Sequence, residues 1–287
     1  MITSRWQLAL LGAPVLLLLV VFLVLPYGEM FAMSFRTPGN GAPYGDALTL
    51  ANYHKALGDP FYLGVLGRTL AVGAAITALC LLLSYPIALH LAHVSDRWHV
   101  VFYACVVSPL LIGVLVRNFG WMIILSFSGP LNQLLLALGL TDHPLRLLFN
   151  VEVVVIALVH VLIPFMVLPI ANALRAIDPA LYEASQSLGG SRWGTFCRVT
   201  FPLSMPGVLA GTVLVFVLAI SAFVTPVLLG GQSVVLMPSI VIQQLIGAFV
   251  WPFGAALAVV LSLATLAVVA LLTAAARPLM HRAARWS

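Results

Sequence analysis

The chain has 287 residues, of which 62% are hydrophobic and only 7% charged, and its mean hydropathy is +1.13. So few charges cannot cover a soluble domain of this length, which excludes a water-soluble globular protein and predicts an all-α, polytopic membrane protein. A net charge of +5 and a pI near 9.4 would point to nucleic acid in a soluble protein, but here the arginines flank apolar runs and set orientation, so no nucleic-acid partner is expected.

Crossing the hydrocarbon takes about 20 apolar helical residues. Six runs qualify: 8–25, 70–91, 100–116 with an extension to 127, 153–173, 206–229 and 253–276. The first is too long for a cleavable signal core, and Pro26-Tyr27-Gly28-Glu29 is no small-residue cleavage site, so a retained span over 8–27 is expected. The breakers Pro38, Gly39, Asn40, Gly41, Pro43 and Gly45 make 31–67 a loop, with a short amphipathic helix at 50–57. A second loop, 128–150, carries a helical fragment at 132–138 and the breaker Pro144.

A seventh stretch, 234–250, holds Pro238, Gln243, Gln244 and Gly247. With six spans and both termini in the cytoplasm, Arg5, Arg97, Arg175, Arg192, Arg198, Arg277, Arg282 and Arg285 are cytoplasmic, eight of the thirteen basic residues. A seventh crossing would place the last cluster outside, against the positive-inside rule. The stretch is therefore expected to be re-entrant or to lie along the outer face.

The most polar long segment is 178–206. Asp178 followed by Pro179 starts a helix: the Asp side chain accepts from first-turn amides, and Pro gives up an amide that has no partner there. Leu181, Ala184, Ser185 and Leu188 recur at helical spacing as one narrow stripe, with Tyr182, Glu183 and Gln186 on the other side. Gly189 and Gly190 close the helix. Ser191 caps a second short helix, which Pro202 and Pro206 are expected to end.

Glu183-Ala184-Ser185, then Gly189, then Val199, Phe201 and Pro202, resembles the EAA loop of membrane subunits of ATP-binding-cassette importers, with Ser185 in place of the second Ala of the pattern. The likeness widens through 116–121, Gly129-Pro130-Leu131-Asn132, 160–166, 202–207 and Leu229-Gly230-Gly231, where the chain resembles the spermidine/putrescine permease B-subunit branch. It implies a type I importer permease fold: a single transmembrane domain over 1–287, core spans at about 66–276 and a cytoplasmic coupling loop at 174–205. Asp178, Leu181, Glu183, Ala184, Ser185, Leu188, Gly189 and Pro202 would then dock on an ATPase.

The resemblance also implies the setting: a bacterial inner membrane, a second permease forming a heterodimer, two ATPase subunits holding ATP and Mg, and an extracytoplasmic solute-binding protein. The solute class is a polyamine or related amino compound. No cofactor is expected in this chain itself.

For the translocation path, His160 stands mid-span, where a polar group is costly; it either bonds a neighbouring helix or serves the path. Pro164 and Pro169 in the same span should kink it. Arg117, Asn118 and Trp121 lie where the third span nears the outer surface, as snorkelling and belt residues or as a gate. Ser221, Phe223, Gln243 and Gln244 fit a solute gate or core packing. With no acid inside the spans, a polyamine would need carboxylates from a partner or the aromatic faces of Tyr85 and Trp121.

No catalytic constellation, metal-ligand spacing or phosphate loop is present; the only lysine is Lys55, and Cys80, Cys105 and Cys197 form no disulfide framework. No catalytic or metal site is expected. The rival is an ion-coupled secondary transporter, which should show intramembrane acids or an inverted repeat. A membrane enzyme would need a cluster of catalytic side chains at one interface.

Overall fold

The computed structural model describes residues 13–15, 17–39 and 43–283. Residues 8–12 and 16 of the first predicted span, the breakers Asn40 and Gly41, and Arg5 and Arg285 lie outside them, as does the side chain of Arg282. Among the described residues the structure is helical, with one isolated bridge, Arg36 to Leu48, and six helices long and apolar enough to cross a membrane. The chain divides into two compact units, residues 1–64 with 240–263, and residues 65–239 with 264–287.

In the first unit, α1 (Ala13–Met33) runs through Pro26 and past the predicted end of the span. The extra length brings Glu29 into the helix. A turn follows, in which Asn52 of α2 (Ala51–Gly58) donates to the carbonyls of Ser34 and Arg36, each at 2.9 Å. That one buried amide satisfies two loop carbonyls and fixes α2 against the end of α1. Phe253 packs edge-on to Tyr62 at 5.1 Å, with the Lys55 ammonium 4.6 Å from its centroid, a cation-π contact.

The second unit is built on α7 (Val151–Arg175), whose most apolar window is 56% buried, the highest share of any span. It is flanked by most of α3 (Pro60–His93), by α4 (Asp96–Leu111) and α5 (Val114–Leu125), and by α9 (Arg192–Ser221). A short α6 (Pro130–Ala137) fills the second predicted loop. Lipid is as apolar as leucine, so close packing rather than hydrophobicity must hold these helices together. Gly207 and Gly211 supply it: a Cβ on Gly207 would collide with the Pro169 carbonyl and sit 2.6 Å from Ala173 Cβ, and one on Gly211 would lie 2.8 Å from Met166 Sδ. α3 adds polar contacts, from Cys80 Sγ to Val159 O at 3.7 Å and from Ser84 Oγ to Ile163 O at 3.4 Å, beside Pro164. α7 is continuous through both prolines.

Several boundaries depart from the sequence expectation. Helix α3 begins at Pro60, so residues 60–67, Gly64 and Gly67 among them, are helical rather than loop. The run 100–127 breaks at Ile112–Gly113 into α4 and α5. Pro202 and Pro206 do not end the helix after the elbow, which continues to Ser221. A π turn at Phe196–Thr200, closed by Phe201 N–H to Phe196 O, directly precedes Pro202 and widens the helix where the proline amide is missing. Membrane helices tolerate such prolines because neighbouring groups take up the freed carbonyls. The fifth run then stops at Ser221, short of 229, and the chain continues as two sharply bent pieces, Pro226–Ser233 and Met237–Gly247, not as a straight seventh span.

Candidate functional site: a glycine elbow and a polar wall

The elbow begins where α7 ends. Arg175 Nη2 donates to Leu91 O at 3.3 Å, tying the last turn of α7 to α3. Asp178 Oδ1 accepts from Ala180 N at 2.9 Å and starts α8 (Pro179–Ser187), as its sequence requires. Gly189, at φ +79, reverses the chain in the left-handed region, and Gly190 N donates to Ser185 O at 3.0 Å. Gly190 has no room for a side chain, since a Cβ would lie 2.7 Å from Ser185 O and 2.9 Å from Ser185 Oγ. Ser191 Oγ then accepts from Gly194 N at 3.1 Å and opens α9.

The faces of α8 differ from the single stripe expected. Leu181, Tyr182 and Ser185 are half-buried, while Ala184, Glu183 and Leu188 are exposed, Leu188 at 90%. Helical spacing puts Leu181, Ala184, Ser185 and Leu188 on one broad side, and which edge of it packs was decided by the elbow. Tyr182 turns inward, its ring edge-on to His93 at 5.9 Å. Burial raises its phenol above the usual value, and the nearby Thr200 hydroxyl opposes that shift. Glu183 makes no ion pair among the described residues. Its side chain is exposed.

An aromatic cluster braces the base of α9. Trp193 stacks on Phe196 at 5.3 Å, and Tyr85 of α3 meets Phe196 at 5.6 Å and Phe201 at 5.8 Å while its hydroxyl pairs with Ser204 Oγ at 2.9 Å. These contacts place Tyr85 against the base of α9. Trp193 remains 73% exposed. With Leu188 it leaves two large apolar side chains uncovered on either side of the glycine turn.

The polar wall gathers Arg117, Asn118, Trp121 and His160. Arg117 is half-buried and hydrogen-bonded: its Nη2 donates to Pro109 O and, at 2.6 Å, to Ile112 O, the carbonyls that α4 leaves open at its end. Asn118 is 2% exposed and its Nδ2 has no partner among the described residues. Trp121 approaches His160 edge-on at 6.0 Å, and His160 is exposed on α7. Ser221 Oγ donates to Leu218 O at 3.2 Å in its own helix, and Phe223 is half-buried at the break after α9. Gln243 is exposed and Gln244 half-buried, both in the other unit.

Contacts that the sequence did not single out complete the elbow and the helix pair beneath it: those of Thr195 with Ser185, of Tyr85 with Ser204, and of Gly207 and Gly211 with α7. The last pair carries a readable signal, a Gly-x-x-x-Gly spacing inside an apolar run. The others do not, because contacts between distant elements leave no periodic trace.

A family model described as "Binding-protein-dependent transport system inner membrane component" matches residues 84–281. The spermidine/putrescine transport system permease protein PotB of Salmonella typhimurium (strain SL1344) is 36% identical over 245 residues, 85% of this chain and 85% of that one. The protein of the same name from Escherichia coli (strain K12) is 36% identical over 245 residues, 85% and 89% of the two chains. Among solved structures, a bacterial ABC transporter importing the acidic polysaccharide alginate superposes with a TM-score of 0.77 over 95% of this chain and 96% of that chain at 19% identity, a likeness of fold.

Proposed function

The chain belongs to the family of binding-protein-dependent transport system inner membrane components, and from that premise we propose how it acts. It is a multi-pass inner-membrane permease subunit of a binding-protein-dependent ABC importer, a transport subunit and not an enzyme; ion-coupled secondary transport is not favoured. A solute-binding protein is its extracytoplasmic partner.

In our proposal a second permease pairs with this chain to enclose the path, and two ATPase subunits, holding ATP and Mg, dock on the two coupling elbows. Both termini face the cytoplasm. The observation that carries the docking is the elbow itself: a capped helix on a left-handed glycine with Leu188, Trp193 and Glu183 uncovered. A short helix held rigidly by its turn transmits displacement that a loose loop would dissipate. Asp178, Gly189 and Pro202 shape it, and Leu181 and Ser185 seat it. Ala184, Leu188 and Glu183 meet the ATPase.

The solute is a polyamine or related amino compound, supported by the 36% identity to spermidine/putrescine permeases. Trp121 offers a cation-π face. Arg117 repels a cation, so the carboxylates a polyamine needs come from the second permease. Asn118, His160, Ser221, Phe223, Gln243 and Gln244 complete this chain's share of the path. The test is the complex reconstituted in vesicles: receptor loaded with spermidine stimulates ATP turnover and spermidine uptake. Stimulation by another loaded receptor and none by spermidine removes the polyamine assignment, and no ATPase bound to the purified chain removes the docking.

A further inference from the structure

Phe149 has a left-handed backbone, φ 64, a conformation that a bulky residue rarely adopts. It stands immediately before Asn150, which caps α7 by accepting from Val153 N at 2.9 Å and donates to Leu147 O at 3.0 Å. Phe149 N–H donates to Leu229 O at 2.8 Å. Its ring lies over Gly231, itself at φ +56, so closely that a Cβ there would be 2.8 Å from Phe149 Cδ1. Gly230 is seated as tightly, its would-be Cβ 2.6 Å from Val234 Cβ and 3.0 Å from Val154 Cγ2 of α7. Strained backbone of this kind persists only where the surroundings over-determine it.

The pin sits at one end of α7 and the elbow at the other. One continuous helix of 25 residues joins them, about 37 Å of rod at 1.5 Å per residue. Arg175 and Asp178, from which α8 departs, are at the elbow end, and Asn150 and Phe149 are at the far end. We propose that Phe149 is a positioning residue that ties the segment Pro226–Gly231 to α7, so that displacement of α7 at the elbow moves that segment with it. The tether rests on the docking of an ATPase at α8, and it needs an element whose position both ends bias.

The test uses the full complex in vesicles, with Gln232, exposed beside the pin, changed by Gln232→Cys after Cys105 and Cys197 are replaced by Ala. The maleimide labelling rate is compared between nucleotide-free and vanadate-trapped states. With Phe149 present, trapping changes the rate. Phe149→Asn keeps a residue that tolerates the left-handed backbone but removes the ring; trapping persists and the change in labelling falls about two- to thirty-fold. Phe149→Tyr restores the response, which a loss of folding would not allow. A response unaltered in Phe149→Asn, or absent with Phe149 in place, overturns the tether. A chain that retains no ATPase overturns the docking and the tether together, so the two failures are told apart.

Discussion

The side-chain oxygens of Ser185 and Thr195 lie 2.8 Å apart, one on α8 and the other in the first turn of α9, and their hydrogen bond closes the elbow around Gly189 and Gly190. Thr195 is buried and Ser185 half-buried. Ser185→Ala leaves the Thr195 hydroxyl without a partner and should loosen the elbow by about 1–3 kcal/mol, whereas removing both hydroxyls in Ser185→Ala with Thr195→Val recovers most of it. Hydrogen exchange across 184–195 reads both effects; a double variant as loose as the single one would sink this account.

Gly189 has open space around it, so its constraint is conformational and not steric. A side-chain-bearing residue in the left-handed region costs about 1–2 kcal/mol, and a β-branched one more. The order of retained coupling should be Gly, then Asn, then Ala, then Val. In vesicles Gly189→Val should insert normally yet show ATP turnover no longer tied to uptake. Unchanged uptake in that variant contradicts the proposed role of the elbow.

Two glycine substitutions should have opposite signs. Gly207→Ala forces a methyl into the Pro169 carbonyl, backbone that cannot rotate aside, and overpacking of this kind costs about 1–3 kcal/mol. Gly67 meets nothing within 4 Å on α3, so Gly67→Ala should be neutral or stabilise by up to about 1 kcal/mol through backbone entropy. Thermal unfolding of the two variants in detergent, side by side, checks the contrast.

Arg117 holds the α4–α5 break by donating to the carbonyls of Pro109 and Ile112. Charge-assisted bonds contribute about 1.5–3 kcal/mol, so Arg117→Gln should raise proteolysis at 112–113. Arg117→Lys should rescue only in part, because the ammonium lacks the planar fork that reaches two acceptors. Proteolysis unaffected by Arg117→Gln would mean that the bonds do not hold the break.

Much of the elbow was legible in the sequence because caps and turns are local. Asp178-Pro179 must start a helix, Gly189 must end one, and Ser191 caps the next, each through atoms within a few residues. The path was less so. His160 and Trp121 read as separate oddities on separate spans, and Arg117 as a snorkelling cation or a gate residue; the neighbours they have in the structure come from chain tens of residues away or across a break.

Composition and apolar run length by themselves determined an all-α membrane protein with six spans, since hydrocarbon admits only helices that satisfy their own backbone. Local capping chemistry determined the elbow. The tertiary structure alone decided that Pro202 and Pro206 stay within a helix, that Leu188 and Ala184 face outward while Tyr182 turns in, and that Phe149 accepts a strained backbone to hold Leu229. Each of these depends on which distant carbonyl, glycine or ring occupies the adjoining space, and sequence spacing encodes only neighbours along the chain.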